Sequence, residues 1–408
     1  MSEPCSTRIT QIASTTPVLP PQTSWPGGLS VPIASTSTAF FLGQDAKRTQ
    51  SIVMQPLPAL TNAARTILTA HSPVPAHSGL QFDAFVDLVH GGDDDAIGFV
   101  GVANLSSPLA SHFYGVYLAP TSNRTSNTIE RIADTSDLAP SSRRWRALSA
   151  PVMDYSSRWR SGAAVIYSGS DAVPATSGRE YIVRKARGGA HSVETLLDGK
   201  ACNLSLISAP QMSRSRDGSK RWLVFFARHG LTGAGIYSLA LHERRDESGS
   251  CASLVAGFGK PIPPPSVSTF AKFGGPVGTE EGQALFVAES STEGLSGIYA
   301  ANLTSGALRT LVDTTTTTPQ FAAFPHAPST ASGLVTFYAD AADASLSGLY
   351  AMPLDGKGMR PWPVATLKSS SLVYIFGAYN DFDGRCLSFY GSFQGGDGVF
   401  VVDPRQNA

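Results

Sequence analysis

The hydrophobic positions of this chain fall into short runs that repeat along its length. The most recognisable run is a β-type segment that ends in small or polar residues, and it occurs seven times. Its central residue, the anchor of each copy, recurs about every sixty residues. Short apolar runs bounded by turn-forming residues are typical of buried strands. The pattern therefore predicts seven copies of one β unit, anchored at Phe41, Phe99, Ile166, Phe225, Phe286, Phe337 and Phe389.

Each copy contains three further runs around the anchor. An aromatic run such as Phe270–Phe273 precedes it, a Gly-Ile-Tyr run such as Gly297–Tyr299 follows it, and a run such as Leu308–Val312 ends the unit. We letter these strands a to d, with the anchor in strand b. Five of the c runs have a glycine at their first or second position, which we interpret as strand entries where the backbone turns tightly. Four short antiparallel strands with a Gly/aromatic signature predict an all-β protein, a seven-bladed β-propeller.

The ends of the chain predict how the ring closes. The last unit, at about residues 372–403, has strands a, b and c but no d run. The run at Ile9–Pro17 matches the d phrase of the other units, so an N-terminal strand at about residues 8–14 is expected to complete the last blade. Such closure removes the two open strand edges. We expect residues 1–408 to form one propeller domain.

One unit resembles a known repeat. The segment Ser213–Ala227, followed by Gly235-Ile-Tyr, is similar to the TolB-like propeller repeat, which has Ser-Pro-Asp-Gly-Lys before a strand and Ile-Tyr after it. Arg216 stands where that family has proline. The repeated a, b and c strands also resemble an uncharacterised family of tandem propeller repeats. The resemblance implies an architecture and no particular chemistry, since propellers carry many functions.

Composition excludes several classes of partner. Lys plus Arg and Asp plus Glu both number 31, so the net charge is zero, and no bulk charge favours nucleic acid or an anionic membrane. The longest apolar runs have the length of strands rather than of membrane-spanning helices. The first residues lack the pattern of a secretory signal, so we expect a cytoplasmic protein. We also expect a monomer.

The four cysteines are widely spaced, at Cys5, Cys202, Cys251 and Cys386, without a metal-binding spacing. We expect reduced, mostly buried thiols rather than a disulfide scaffold or a zinc site. Four glycosylation sequons begin at Asn104, Asn123, Asn203 and Asn302. In the absence of a signal they are expected to be unused. No metal or cofactor is expected.

Candidate site residues lie where the b–c loops and d–a connections meet, because both reach one face of a propeller, here called the top face. Loops held by rigid strands commonly form sites there. Arg228 and His229 follow directly on a b strand and suit an anion clamp or a general base. We assign possible catalytic roles to His229, Arg228, Glu289 and Asp171. We assign possible ligand contacts to Asp45, Asn104, Asp340, Gln394 and His71.

Two hypotheses follow for the function. The favoured one is a binding module that presents the top face to a protein or a small polar ligand. The alternative is a lyase, hydrolase or isomerase that acts on a small polar or sugar-like substrate with top-face carboxylates and His229. No serine-hydrolase elbow, zinc-protease motif, P-loop or dinucleotide fingerprint occurs in the sequence. An enzyme predicts polar loop residues that converge on one pocket, whereas a scaffold predicts a flatter face.

Overall fold

Seven separate antiparallel sheets make up the computed structural model of this chain. We number them as blades 1 to 7 in chain order. The structure describes residues 9–15, 25, 28–34, 38–57, 64–90, 96–106, 112–121, 128–154, 164–172, 179–186, 193–241, 251–264, 266–279, 281–292, 294–315, 320–356, 360–382 and 384–407. The predicted seven-bladed β-propeller is confirmed.

Four blades consist of four strands each, in the spatial order a-b-c-d. Blade 1 contains Gly28–Ala34, Thr38–Gln44, Gln50–Pro56 and Arg65–Thr69. Blade 2 contains Ala84–His90, Ala96–Ala103, Phe113–Pro120 and Glu130–Asp134. Blade 5 contains Phe270–Gly278, Gln283–Ser290, Ser296–Asn302 and Leu308–Asp313. Blade 7 contains Leu372–Phe382, Leu387–Phe393, Gly396–Val402 and, as its d strand, Thr10–Ser14.

The other three blades have an a strand that is split into two short pieces. Blade 3 contains Ala147–Leu148, Val152–Asp154, Ala164–Ser170, Glu180–Ala186 and Glu194–Asp198. Blade 4 contains Leu204–Ser205, Gln211–Arg214, Arg221–His229, Gly233–Leu241 and Ser253–Gly257. Blade 6 contains Phe321–Ala323, Ser329–Ala331, Leu334–Ala341, Gly348–Pro353 and Trp362–Thr366. Short 3-10 helices occupy Ala344–Leu346 and Pro404–Asn407. Among the described residues, no helix has the length and apolar character needed to cross a bilayer.

The predicted anchors form the core of the blades. All seven lie in b strands and are completely buried. In five blades the anchor stacks on an aromatic residue of strand c, as Phe99 does on Tyr117 with ring centroids 5.6 Å apart. A central strand of a blade is covered by neighbouring blades on both faces, which explains why its residues form an apolar run rather than an alternating pattern.

At two blades, glycine is needed at the start of strand c because strand d approaches it closely, and not because of the expected tight turn. A Cβ atom on Gly235 would lie 2.5 Å from the carbonyl oxygen of Ala256, and one on Gly297 would lie 3.0 Å from that of Val312. Strands c and d carry a register shift next to both positions. The d strand therefore approaches strand c closely at this bulge, and only glycine leaves room for its carbonyl group.

The N-terminal strand closes the ring as predicted. Thr10–Ser14 pairs antiparallel with Gly396–Val402, with Gln11 opposite Phe400. Ile12 and Ala13 are buried in a cluster that also contains residues of blades 1 and 7. The blade predicted at about 372–403 spans residues 372–402, joined by residues 10–14. The assignment of residues 1–408 to one domain stays a prediction.

The expectation of reduced cysteines is wrong. Cys202 and Cys251 form a disulfide with a Cα–Cα distance of 5.4 Å. Cys202 lies in the connection between blades 3 and 4, and Cys251 lies two residues before the d strand of blade 4. The bond therefore links these two segments. Cys386 is also disulfide-bonded, and its partner lies outside the described residues. Spacing along the chain gave no hint of these bonds, because the paired cysteines are brought together only by the blade.

Candidate functional site

Strand pairing defines the top face at each blade. In blade 4 the start of strand a meets the end of strand b, where Leu204 pairs with His229. At the same edge the start of strand c meets the end of strand d, where Gly235 pairs with Gly257. The b–c hairpin and the d–a connections therefore share this edge, as the sequence predicted.

Arg228 and His229 lie at the top edge of blade 4, and the side chain of His229 stabilises the b–c hairpin. Its Nδ1 atom accepts hydrogen bonds from the backbone N–H groups of Leu231 and Thr232, at 3.2 and 3.3 Å. Arg228 is exposed. Within the described part of the chain, neither side chain makes an ion pair with a carboxylate. The ring of His229 thus fixes the turn that follows it.

Two of the predicted carboxylates, Asp171 and Asp45, also form hydrogen bonds that stabilise loops. Asp171 is buried, and its oxygens accept bonds from the Oγ atom of Ser141 at 2.5 Å and from the backbone N–H of Arg179 at 2.7 Å. Asp45 accepts bonds from the backbone N–H groups of Lys47 and Thr49, both at 2.8 Å. Such side-chain caps are a general use of aspartate in turns.

The other predicted ligand contacts are distributed over blades 1, 2, 6 and 7. Asn104 and His71 have positive φ values of 61° and 73°, which places them in tight turns. Gln394 is exposed in the b–c hairpin of blade 7, and Asp340 accepts a bond from the hydroxyl of Tyr338 at 3.1 Å. The described residues contain no group of three His, Cys, Asp or Glu side chains that could hold a metal ion.

Glu289, one of the predicted catalytic residues, lines a cavity. It forms an ion pair with Lys272, with 2.6 Å between Nζ and Oε1. Both side chains line a cavity of about 480 Å³ between blades 5 and 6. Apolar side chains from both blades, Phe273, Val287 and Phe324, line the same cavity. The sequence did not indicate Lys272, because it lies in an a strand rather than in a loop.

A dense polar cluster surrounds Asp134, where blade 2 leads into its d–a connection. This carboxylate is fully buried and accepts bonds from Arg131, from Ser136 and, at 2.9 Å, from the Nε2 atom of His77. Burial alone would raise the pKa of Asp134, but the hydrogen bonds from Arg131, Ser136 and His77 outweigh it and lower the pKa to about 2. The side chain is charged and shielded from solvent, so the cluster binds the loop of His77 to blade 2.

The top edge of blade 4 also exposes large apolar side chains. Leu231, at the tip of the b–c hairpin, is 88% exposed, and Phe258 and Leu206 are 59% and 48% exposed. The backbone N–H of Phe258 donates to the carbonyl of Ala234 at 2.9 Å, so the d–a connection is joined to the hairpin. The sequence did not indicate these exposed residues, since an apolar residue near a strand end is usually part of the core.

Comparisons with known proteins identify the architecture. An oligogalacturonate lyase in complex with manganese has a TM-score of 0.57 at 13% identity, covering 98% of this chain and 96% of that one. A Vibrio parahaemolyticus oligogalacturonate lyase has a TM-score of 0.55 at 11% identity, covering 98% of both chains. TolB from Acinetobacter baumannii has a TM-score of 0.45 at 14% identity, and the match covers 82% of this chain and 66% of that one.

These similarities show the propeller fold and no chemistry, since the identities are low. No protein-family model matches the sequence, and a comparison with curated proteins finds no match either. The resemblance to a TolB-like architecture is thus confirmed for the fold, a ring of seven four-stranded blades.

Proposed function

We propose that this propeller is a binding module that presents its top face to a protein partner, with the top edge of blade 4 as the contact surface. The supporting observation is that three large apolar side chains, Leu206, Leu231 and Phe258, are exposed at this edge. Contact residues that dominate protein interfaces are commonly large apolar or aromatic side chains near a rim of charged groups. This surface has that composition.

The geometry of the hairpin supports such a role. Leu231 is held out into solvent by a turn whose two N–H groups bond to His229, so little conformational entropy is lost when it is buried by a partner. Phe258 lies beside the hairpin, because a Cβ atom on Gly233 would lie 3.6 Å from its Cβ atom. The exposed Arg228 and Lys260 are nearby in the chain and favour a partner with acidic groups around an apolar pocket.

The enzyme hypothesis has less support. The oxygens of Asp171 accept bonds from Ser141, in the connection between blades 2 and 3, and from the backbone of Arg179. The Nδ1 lone pair of His229 is used by its hairpin. Among the described residues proposed for catalysis, Glu289 alone lines the cavity of about 480 Å³. A reaction that needs His229 together with a carboxylate would require both groups at one substrate.

The contact is tested by capture from an extract of the native source, with quantitative mass spectrometry. The baits are the intact protein, the double variant Leu231→Ser/Phe258→Ser, and Val373→Ser as a control that removes an exposed apolar side chain from blade 7. We expect a partner that is retained by the intact protein and by the control but lost by the double variant. Capture of the same proteins by all three baits would contradict the proposal.

We also propose an oxidising location. The expected cytoplasmic location was based on the first residues, which lack the pattern of a secretory signal, and it agreed with the expected reduced thiols. Cys202 and Cys251 are instead bonded to each other, and Cys386 is disulfide-bonded as well. Disulfides persist in extracellular and other oxidising compartments and are rare in the cytosol. Thiol alkylation of the protein as it is isolated from its source is expected to label none of the four cysteines. Labelling of Cys202 and Cys251 in the unreduced protein would contradict an oxidising location.

A further inference from the structure

The cavity between blades 5 and 6 lies beside two irregular a strands, one in each blade. The a strand of blade 5 shifts register between Phe270 and Lys272 and again between Phe273 and Pro276. The a strand of blade 6 is interrupted after Ala323 and resumes at Ser329. The irregular segments leave about 480 Å³ between the blades, a volume within the range of small-molecule sites.

The lining of the cavity has two chemically distinct parts. One part is apolar and includes Phe273, Phe324 and Pro325. The other is the ion pair of Lys272 and Glu289, whose side chains are 71% and 51% exposed. A cation and an anion therefore lie side by side at the cavity, in contact with solvent and next to an apolar wall.

We propose that this cavity binds a small zwitterion that carries an apolar group, such as an α-amino acid with a large side chain. The carboxylate of the ligand would pair with Lys272 and its ammonium group with Glu289, while the apolar group would contact Phe273 and Phe324. A ligand with a single charge can pair with only one of the two side chains, whereas a zwitterion can pair with both, and each exposed pair contributes at most about 1 kcal/mol. A zwitterion replaces both partners at once, so its binding separates the pair without leaving either charge unpaired.

Three matched probes test the charge requirement. L-phenylalanine carries both charges, 2-phenylethylamine lacks the carboxylate, and 3-phenylpropanoate lacks the ammonium group. Isothermal titration calorimetry on the full chain is expected to show L-phenylalanine binding about threefold to fivefold more tightly than either analogue. Glycine, which has both charges and no apolar group, is expected to bind more weakly than L-phenylalanine because it buries no apolar surface.

Variants of the ion pair give the decisive result. In Lys272→Met, L-phenylalanine is expected to bind no better than 2-phenylethylamine. In Glu289→Gln, it is expected to bind no better than 3-phenylpropanoate. Both side chains are exposed, so both variants should fold with a nearly unchanged melting temperature. Lys47→Met, in the exposed b–c hairpin of blade 1, is the matched control and should keep the ranking of the intact protein.

Two results would overturn the inference. One is the absence of binding by L-phenylalanine at millimolar concentration, and the other is an unchanged ranking of the probes in both ion-pair variants. The test is independent of the protein contact, because the blade 4 variants leave Lys272 and Glu289 in place. Loss of partner capture with retained L-phenylalanine binding would therefore separate the two sites.

Discussion

A buried ion network joins blades 3 and 4. Replacement of its central carboxylate is expected to lower the unfolding free energy. Asp154, at the end of strand a of blade 3, pairs with Arg221 at 2.6 Å and with Arg184 at 3.4 Å. The three side chains are 0%, 7% and 2% exposed. Replacement of Asp154 by alanine leaves Arg184 with Glu194, at 2.8 Å. It removes the carboxylate partner of Arg221, whose Nη2 atom is already buried without a hydrogen bond.

The expected cost of Asp154→Ala follows from the uncompensated charge of Arg221. Removal of one member of a buried ion pair typically costs about 3–5 kcal/mol of unfolding free energy, whereas replacement of the whole pair by apolar groups is often close to neutral. The double variant Asp154→Ala/Arg221→Met is therefore expected to be more stable than Asp154→Ala alone. The two substitutions are coupled because the second removes the charge that the first leaves unpaired.

Equilibrium urea denaturation measures both variants. Tryptophan fluorescence is a suitable signal, since Trp145 is packed in the core of blade 3 and Trp222 lies beside Arg221 in blade 4. Circular dichroism must give the same midpoints if the transition is two-state. A loss below about 1 kcal/mol for Asp154→Ala, or equal losses for the single and double variants, would refute the reasoning about the unpaired charge.

Three further predictions concern closure, pH and the disulfide. Ile12→Ala should lower the unfolding free energy by about 2–5 kcal/mol in a urea titration, because Ile12 is buried where the ring closes, while Val193→Ala at an exposed position should cost little. Asp134 has a pKa lowered to about 2 in the fold, so its contribution is fully present above about pH 4 and is lost as the pH falls towards 2. The melting temperature of Asp134→Asn should accordingly fall less between pH 5 and pH 2.5 than that of the intact protein, and an equal fall would contradict this. Cys202→Ser opens a loop with a sequence separation of 49 residues and should cost about 4 kcal/mol of unfolding free energy by loop entropy, and an unchanged urea midpoint would count against a stabilising bond.

The architecture could be predicted because a blade leaves a strong trace in the sequence. A b strand is covered on both faces, so Phe225 and its counterparts stand in apolar runs that recur with each blade. The missing d run after Val402 and the extra run around Ile12 together indicated the closure, since an unpaired strand edge is unfavourable. The predicted role of Gly235 was wrong because the bulge that brings the carbonyl of Ala256 to it depends on a neighbouring strand.

The candidate site was harder to predict because a polar residue in a loop can either stabilise its turn or contact a ligand. Asp45 and His229 cap the turns in which they stand, and a functional residue would look the same in the sequence. Lys272 meets Glu289 through strand pairing. The exposure of Leu231 depends on its position at a hairpin tip, which hydrophobicity alone does not reveal. These are tertiary properties, and they determine which surface is open to a ligand.

The protein contact at blade 4 is tested most directly by site-specific photo-crosslinking in the native source. A benzoyl-phenylalanine at position 231 would stand at the top edge of blade 4, and one at Asp217 would stand in the exposed a–b hairpin at the opposite edge of the same blade. We predict a crosslinked partner from position 231 and none from position 217. The same adducts from both positions, or adducts from position 217 alone, would contradict a partner bound at the top edge.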